Sequence, residues 1–491
     1  METRVRFAPS PTGFVHIGSL RTALYDYLYA KKNKGKYILR IEDTDRSRFV
    51  EGALENLINS LEWAGVPHDE GVFIEDGEII QKGEYGPYIQ SERLDLYKKH
   101  IDELLEKGLA YRCFCSKERL DKIREEQKRK GETPMYDKHC RGLSDKEIQK
   151  NLEEGKDYVV RLKIPEDENI EFNDLIRGKI SINSKEIDDQ VLIKSDGFPT
   201  YHFAVVVDDH LMKISHVIRG EEWLTSTPKQ VILFNYFGWE APEFVHLPTV
   251  LNKDKKKLSK RQGDVSVTDF KDKGYLPEAL VNYLALVGWS PKGNEEIFSM
   301  EELINEFSFE NVSKTGGVFD VEKLNWINSQ YIKKYDNEKL YELIKPFLVE
   351  EIFTESEFDL KKDWLIKTID LVKEKINNLE EIVPHIEMFV GTEVKANDEV
   401  KETLAQEGVK ELLEAFIKEL ESIDEVDEDF AKGIFKKLQK QTGAKGKNLY
   451  MPLRGAVIGQ LHGPDMGKTF IILGKENLIE RLKYSLNNYT K

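Results

Sequence analysis

Two short strings in this chain are built from residue types that handle phosphate. The first is His16-Ile17-Gly18-Ser19, which follows Phe7-Ala8-Pro9-Ser10-Pro11-Thr12-Gly13. The second, far downstream, is Lys257-Leu258-Ser259-Lys260-Arg261. A histidine N–H can donate to a phosphate oxygen, Gly18 lets a nucleotide approach the backbone closely, and lysines act as point charges on phosphate. Alone, the first string is most often a surface histidine in a turn, and the second a solvated basic loop. Together they suggest a machine that splits ATP between its α- and β-phosphates.

The elements around them support that pairing. Val5 and Phe7 alternate with Arg4 and Arg6, as in a short strand, and Pro9, Pro11 and Gly13 end it in a loop. From Ser19, the residues Leu20, Ala23, Leu24, Tyr27 and Leu28 recur at helical spacing. Tyr37-Ile38-Leu39-Arg40-Ile41 reads as the next strand. The result is a βαβ unit whose loop delivers a helix N-terminus, with free N–H groups and a partial positive charge, beside a strand's carboxyl end. Lys257 to Arg261 follows the strand-like Phe244-Val245-His246-Leu247-Pro248, and a mobile lysine-rich loop can close over a triphosphate.

With 491 residues the chain is too long for one core, so three or four domains are expected. Charged residues make up 33% and apolar ones 40%, an ordinary globular balance. No apolar run approaches membrane-spanning length, and Arg4, Arg6, Arg21 and Asp26 exclude a signal-peptide core near the start, so a cytoplasmic location is expected. The net charge of −16 has the wrong sign for a general nucleic-acid binder. Local basic patches can still suffice, and Lys253 to Arg261 and Lys436, Lys437, Lys440, Lys445 and Lys447 are the candidates. The 3 cysteines exclude a disulfide scaffold but group as Cys113-Phe114-Cys115 with Cys140. Thiolates in that grouping suit Zn²⁺, and three reduced, partly buried thiols are the alternative.

Along the chain, residues 1–110 alternate strands and helices, 111–200 break the rhythm with a charged helix and short strands, and 201–255 restore it. Residues 256–334 carry the lysine loop and turn helical, and 335–491 are nearly all helical and rich in Glu and Lys. The fold class expected is α/β and multidomain: a Rossmann-type, doubly wound parallel domain with an α+β insertion, followed by all-helical domains. Gly463-Pro464-Asp465-Met466-Gly467-Lys468-Thr469 resembles a P-loop but has one residue too few between its glycines. It reads as a turn before a short strand-like Phe470-Ile471-Ile472-Leu473.

The string through His16, then Arg40-Ile41-Glu42-Asp43-Thr44-Asp45, Gln90-Ser91-Glu92-Arg93, Val217-Ile218-Arg219-Gly220-Glu221-Glu222-Trp223 and Lys257 to Arg261 stand in one order. That order resembles the class I aminoacyl-tRNA synthetases, and specifically the bacterial-type glutamyl-tRNA synthetases. The resemblance is dense through the first 290 residues and looser after, with a sharp patch at Asn448 to Arg454 and His462-Gly463-Pro464. It implies two-step, ATP-dependent attachment of L-glutamate to the 3′ end of tRNA(Glu) through glutamyl-adenylate, releasing AMP and pyrophosphate.

The resemblance also assigns residues. His16, Lys257 and Lys260 match the catalytic groups, with Gly18, Ser19, Leu258 and Ser259 around the nucleotide. Glu222 and Trp223 match positions near the adenosine, although a Trp there can equally be core packing. Arg6 and Arg219 match carboxylate readers, Glu42 the ammonium partner, and Ala8, Ser10 and Tyr201 further glutamate contacts; Val205 stands where some members have an amide. Mg²⁺ is expected with ATP. The insertion at 111–200 is implied to grip the tRNA acceptor end, residues 256–334 to contact its stem, and 335–491 to bind the anticodon. Relatives that hold zinc place a fourth ligand two residues past the last Cys, here Gly142, so Tyr136 or His139 would substitute. A monomer with no membrane partner is implied. Two other readings are a small-molecule nucleotidyltransferase, which does not need the long helical remainder, and a non-catalytic tRNA binder, against which both intact strings argue.

Overall fold

The computed structural model describes residues 2–45, 48, 50–258 and 264–491. The chain forms two compact units, one of residues 1–271 and 277–323, the other of 272–276 and 324–491.

The first unit opens with β1 (Arg4–Phe7), α1 (Ile17–Lys32) and β2 (Lys36–Leu39), the βαβ start expected from the sequence. α2 (Ala53–Trp63), β3 (Glu70–Glu75), β4 (Glu78–Lys82) and α3 (Leu94–Glu106) follow. β1, β2 and β3 are parallel neighbours, and β4 returns antiparallel at the edge. Both faces of β1 are buried, although its alternating pattern suggests one wet face. The two arginines are tolerated because Arg4 makes paired hydrogen bonds to Glu70 and Arg6 to Asp209.

The middle of this unit is β5 (Ala110–Cys113), α4 (Lys117–Arg129), α5 (Asp145–Glu153), β6 (Val159–Leu162), β7 (Asn169–Asp174), β8 (Gly178–Asn183) and β9 (Val191–Ile193). Strands β5, β6 and β9 make a small antiparallel sheet of their own. The α/β rhythm then returns with α6 (Tyr201–Leu211), β10 (His216–Gly220), α7 (Thr227–Phe237), β11 (Glu243–Leu247) and β12 (Val250–Leu251). β10 and β11 are parallel, and β7 with its hairpin partner β8 extends their sheet. β10 lies beside β1, where Ser215 N donates to Arg4 O at 2.9 Å and Arg6 reaches Ile218 O. The order outward from β1 is thus β2, β3 on one side and β10, β11 on the other: a doubly wound sheet whose switch point lies between β1 and β10, where such folds bind ligands. α8 (Val267–Asp272), α9 (Pro277–Leu286), α10 (Met300–Glu306) and β13 (Gly317–Val318) follow, β13 pairs with β12, and α11 (Val321–Lys334) starts at the end of this unit and falls mostly in the second.

The second unit is helical throughout its described elements, from Asn337–Leu348 to Met466–Tyr489. Its core includes Leu365, Ile369, Leu412, Phe416, Leu453, Phe470 and Leu482. The strand-like reading of Phe470 to Leu473 is corrected: these residues end the first of two helical stretches in Met466–Tyr489, which break at Gly474, and Asp465 caps that stretch by accepting from Lys468 N. Phe470 and Leu473, one helical turn apart, are both buried, so helical packing decided a short run that periodicity could not.

Candidate active site

A cleft of about 920 Å³ opens at the switch point. Arg6, Ala8, Ser10, His16, Gly18, Ser19, Glu42, Tyr201, Arg219, Glu222, Trp223, Lys257 and Leu258 all line it. The other two sequence candidates, Ser259 and Lys260, lie outside the described residues.

His16 is the N-cap of α1, and its Nδ1 accepts from Gly18 N at 2.9 Å. An accepting Nδ1 puts the ring proton on Nε2, so that nitrogen is the donor His16 can offer. A Cβ on Gly18 would sit 3.2 Å from His16 Nδ1, so the glycine also makes room for this ring. The expectation of free N–H groups at the helix start is corrected. Ile17 N donates to Val265 O, Gly18 N to the His16 ring and Ser19 N to His16 O. What remains at this end is the helix dipole and the imidazole.

The lysine string is aimed by a hairpin. Leu258 N donates to Val250 O, Leu251 bridges to Lys257, and the turn is closed by the Asn252 side chain accepting from Lys256 N. Lys257 and Leu258 therefore run back beside β12, where both line the cleft.

On the opposite side Arg6, Glu42 and Arg219 converge from β1, from just past β2 and from β10. Beneath them runs a ladder of buried charges that the sequence reading missed. Arg93 pairs with Asp208 at 2.7 Å, Arg40 with Asp209 at 2.7 Å, Arg6 with Asp209 at 3.0 Å, and Arg40 with Glu42 at 3.2 Å. Asp208 and Asp209 occupy the last turn of α6, where the helix dipole disfavours acids, and the three arginines offset that cost. Burial pushes the Glu42 carboxyl up to about 7 against the pull of Arg40 and Arg6.

The two arginines matched to carboxylate reading differ. Arg6 has its Nε and Nη2 edge on the Asp209 carboxylate. Arg219 is 5% exposed and has no carboxylate partner among the described residues; burial lowers its pKa, against the pull of Tyr201. Its partners are His246 Nε2, Thr227 Oγ1 and Tyr201 Oη. A buried, unneutralised guanidinium in a cleft is a receptor for a carboxylate.

Trp223 is half-buried, lines the cleft and packs its ring 4.2 Å from that of Tyr201, so it is a wall of the site. Glu222 folds back over Gly220, where a Cβ would lie 2.2 Å from its carboxylate oxygen. Arg21, Thr44, Gln90 and Lys194 also line the cleft and were not singled out in the sequence.

Away from the cleft, the Sγ atoms of Cys113, Cys115 and Cys140 lie within 4.8 Å of one another. Three thiolates about 2.3 Å from a tetrahedral zinc would stand about 3.8 Å apart, so the spacing fits. Tyr136 Oη lies 3.3 Å from Cys113 Sγ and 3.4 Å from Cys115 Sγ, while the exposed His139 does not join the cluster. Hydrogen bonding with Cys140 and Tyr136 pulls the Cys113 thiol well below the usual thiol range, against its burial. The Arg161 guanidinium lies 4.0 Å over the Tyr136 ring.

Comparison with known proteins matches residues 2–326 to the catalytic domain of the class I tRNA synthetases (E and Q), and 339–486 to an anticodon binding domain. The glutamate–tRNA ligase of Alkaliphilus metalliredigens is 58% identical over 98% of both chains. That of Clostridioides difficile is 57% identical over 99% of this chain and 100% of its own. A crystal structure of a glutamate tRNA ligase from Elizabethkingia meningosepticum, in complex with its amino acid, is 39% identical with a TM-score of 0.91 over 100% of both chains. With this identity end to end, the chain belongs to the bacterial glutamate–tRNA ligases, in the class I family of tRNA synthetases.

Proposed function

We propose that this protein attaches L-glutamate to tRNA(Glu) at the expense of ATP. The observation that carries it is the pairing, in one cleft, of a buried guanidinium without a carboxylate (Arg219) and a histidine-capped helix (His16) at the switch point of a doubly wound sheet. The side-chain carboxylate of glutamate is read by Arg219 and Arg6, its ammonium by Glu42, and Ser10, Tyr201 and the backbone at Ala8 complete the amino-acid site.

The first step joins the α-carboxylate of glutamate to the α-phosphorus of ATP and breaks the bond to the β-phosphate, so pyrophosphate leaves. No side chain forms a bond; the chain's work is position and charge. His16 Nε2 donates to an α-phosphate oxygen, and Lys257 and Lys260 supply charge as negative charge builds. Gly18, Ser19, Leu258 and Ser259 border the phosphates, and Glu222 and Trp223 border the adenosine. Mg²⁺ carried by the nucleotide would supply countercharge for the pyrophosphate. In the second step the terminal ribose hydroxyl of the tRNA attacks the glutamyl carbonyl, and AMP leaves.

Residues 1–110 and 201–255 form the two halves of the catalytic domain, 111–200 hold the acceptor end, 256–334 meet the stem and 335–491 read the anticodon. Cys113, Cys115 and Cys140, with Tyr136 as fourth ligand, would hold Zn²⁺, and the metal would tie the insertion's fold together there. The protein acts as a monomer in the cytoplasm, where charged tRNA is used. No helix among the described residues is long and apolar enough to cross a membrane.

The test is aminoacylation of purified tRNA(Glu) with labelled glutamate. Lys260→Ala should lower kcat by roughly 10²–10³, as loss of a single transition-state donor does. Near-normal turnover by that variant would remove Lys260 from the mechanism, and absence of glutamylation by the wild type would overturn the function.

A further inference from the structure

Behind Arg219 stands a buried relay that reaches no ligand. Asp174, His246, Thr227 and Arg219 are 1%, 0%, 0% and 5% exposed. They come from four elements: β7, β11, α7 and β10. His246 Nδ1 donates to Asp174 Oδ2 at 2.7 Å. That bond fixes the tautomer, because the same carboxylate oxygen also accepts His246 N, and its other oxygen accepts Ile176 N and Arg177 N. His246 Nε2 is left with a lone pair; Arg219 Nε donates into it at 3.1 Å, and Thr227 Oγ1 stands 3.0 Å from the same nitrogen. Arg219 Nη2 donates to Thr227 Oγ1 at 2.8 Å, and the threonine hydroxyl donates on to Trp223 O at 3.0 Å.

The chemistry of these acceptors matters. A carboxylate would hold the guanidinium as firmly, but it would offset the charge that a ligand carboxylate needs. An imidazole nitrogen and a hydroxyl are neutral. They fix the Nε and Nη2 edge and leave the charge and the end-on edge toward the cleft. Burial keeps His246 neutral by lowering its pKa, against the pull of Asp174.

We infer that Asp174 and His246 are positioning residues that aim Arg219 at the side-chain carboxylate of the amino acid without neutralising it. The inference rests on the reading of Arg219 as the carboxylate receptor.

The experiment compares two substitutions of His246 in the full-length protein. His246→Asn keeps a donor to Asp174 but offers nothing to Arg219 Nε. His246→Gln carries an amide oxygen out to the Nε2 position. KM for glutamate should rise about tenfold in H246N, the worth of one buried hydrogen bond, with KM for ATP unchanged. H246Q should return KM to within about threefold of wild type. A role confined to tying β7 to β11 through Asp174 predicts the reverse order, with H246N the milder change, and that result overturns the inference. Should H246N fail to fold by thermal melting, Thr227→Val removes the other neutral acceptor. It should raise KM for glutamate alone, and an unchanged KM counts against the inference. Arg219→Leu is the control: if it leaves KM for glutamate unchanged, the receptor reading itself has failed. If R219L raises KM and H246N does not, only the positioning role has failed.

Discussion

Glu42 ties amino-acid binding to pH. Its carboxyl titrates at about 7 because it is buried, and it must be ionised to hold an ammonium group. As pH falls through about 7 the carboxyl takes a proton and the ammonium loses its partner. KM for glutamate should therefore climb toward tenfold per pH unit below that point, while KM for ATP stays flat; initial rates from pH 6 to 8 check this. Stability runs the other way. A carboxyl whose folded pKa lies above its unfolded one favours the fold when protonated, and that contribution is lost as pH rises through about 7. Glu42→Gln should thus abolish the pH dependence of KM without lowering the melting temperature at pH 8.

At the scale of elements, the turn out of β10 gives a sharper test. Gly220→Ala puts a methyl where the Glu222 carboxylate rests, and that exposed side chain must swing away. KM for ATP should rise several-fold with little change in melting temperature, since surface changes cost within about 0.5 kcal/mol. For the small sheet of β5, β6 and β9, purified protein should carry about one zinc per chain. Chelation should loosen this segment in hydrogen exchange and reduce tRNA charging more than adenylate formation. Absence of zinc with three freely titratable thiols would decide for reduced cysteines.

The elements themselves were legible where local signals are strong. Proline and glycine punctuation marked the end of β1, and helical spacing marked α1. Short apolar runs were not, as Phe470 to Leu473 shows. Ser91, near the start of α3, looks like a cap, yet its backbone N and Oγ donate to Asp43 at 2.8 and 2.6 Å. The charge ladder left no trace, because its partners are remote: Arg6 and Asp209 are 203 positions apart. Ionic pairing at that separation follows from topology and has no periodicity to betray it. The same holds for Asp174 and His246, which the sequence presents as ordinary strand residues.

At the scale of the whole molecule, a chain of charge −16 must hold a polyanion. Binding then depends on local patches, and Lys436, Lys440, Lys445 and Lys447 are exposed in the second unit. Raising salt from about 50 to 200 mM should raise KM for tRNA steeply and KM for glutamate little. The same unit contains its own structural knot. Arg481, 2% exposed, donates to the carbonyls of Met388, Val390, Gly391 and Val457. Arg481→Leu leaves the buried Val457 carbonyl and three partly buried ones without this donor and should destabilise this unit by about 3 kcal/mol, read as a lower denaturant midpoint.

The charge ladder also sets an order on the ribosome. Arg6, Arg40 and Arg93 are synthesised well before Asp208 and Asp209, the acids that pair with them. Until α6 emerges, an early half-sheet would have to bury Arg6 and Arg93 without counter-charge and Arg40 against Glu42 alone, and burial of an unpaired cation costs several kcal/mol. The nascent amino-terminal segment is therefore obliged to wait. A release-by-release protease assay on stalled chains should find it cleavable until the second half of the sheet has cleared the exit tunnel, then abruptly resistant. The amino-acid pocket is thus expected to come into being in one event, about midway through translation, when both halves of the sheet are present.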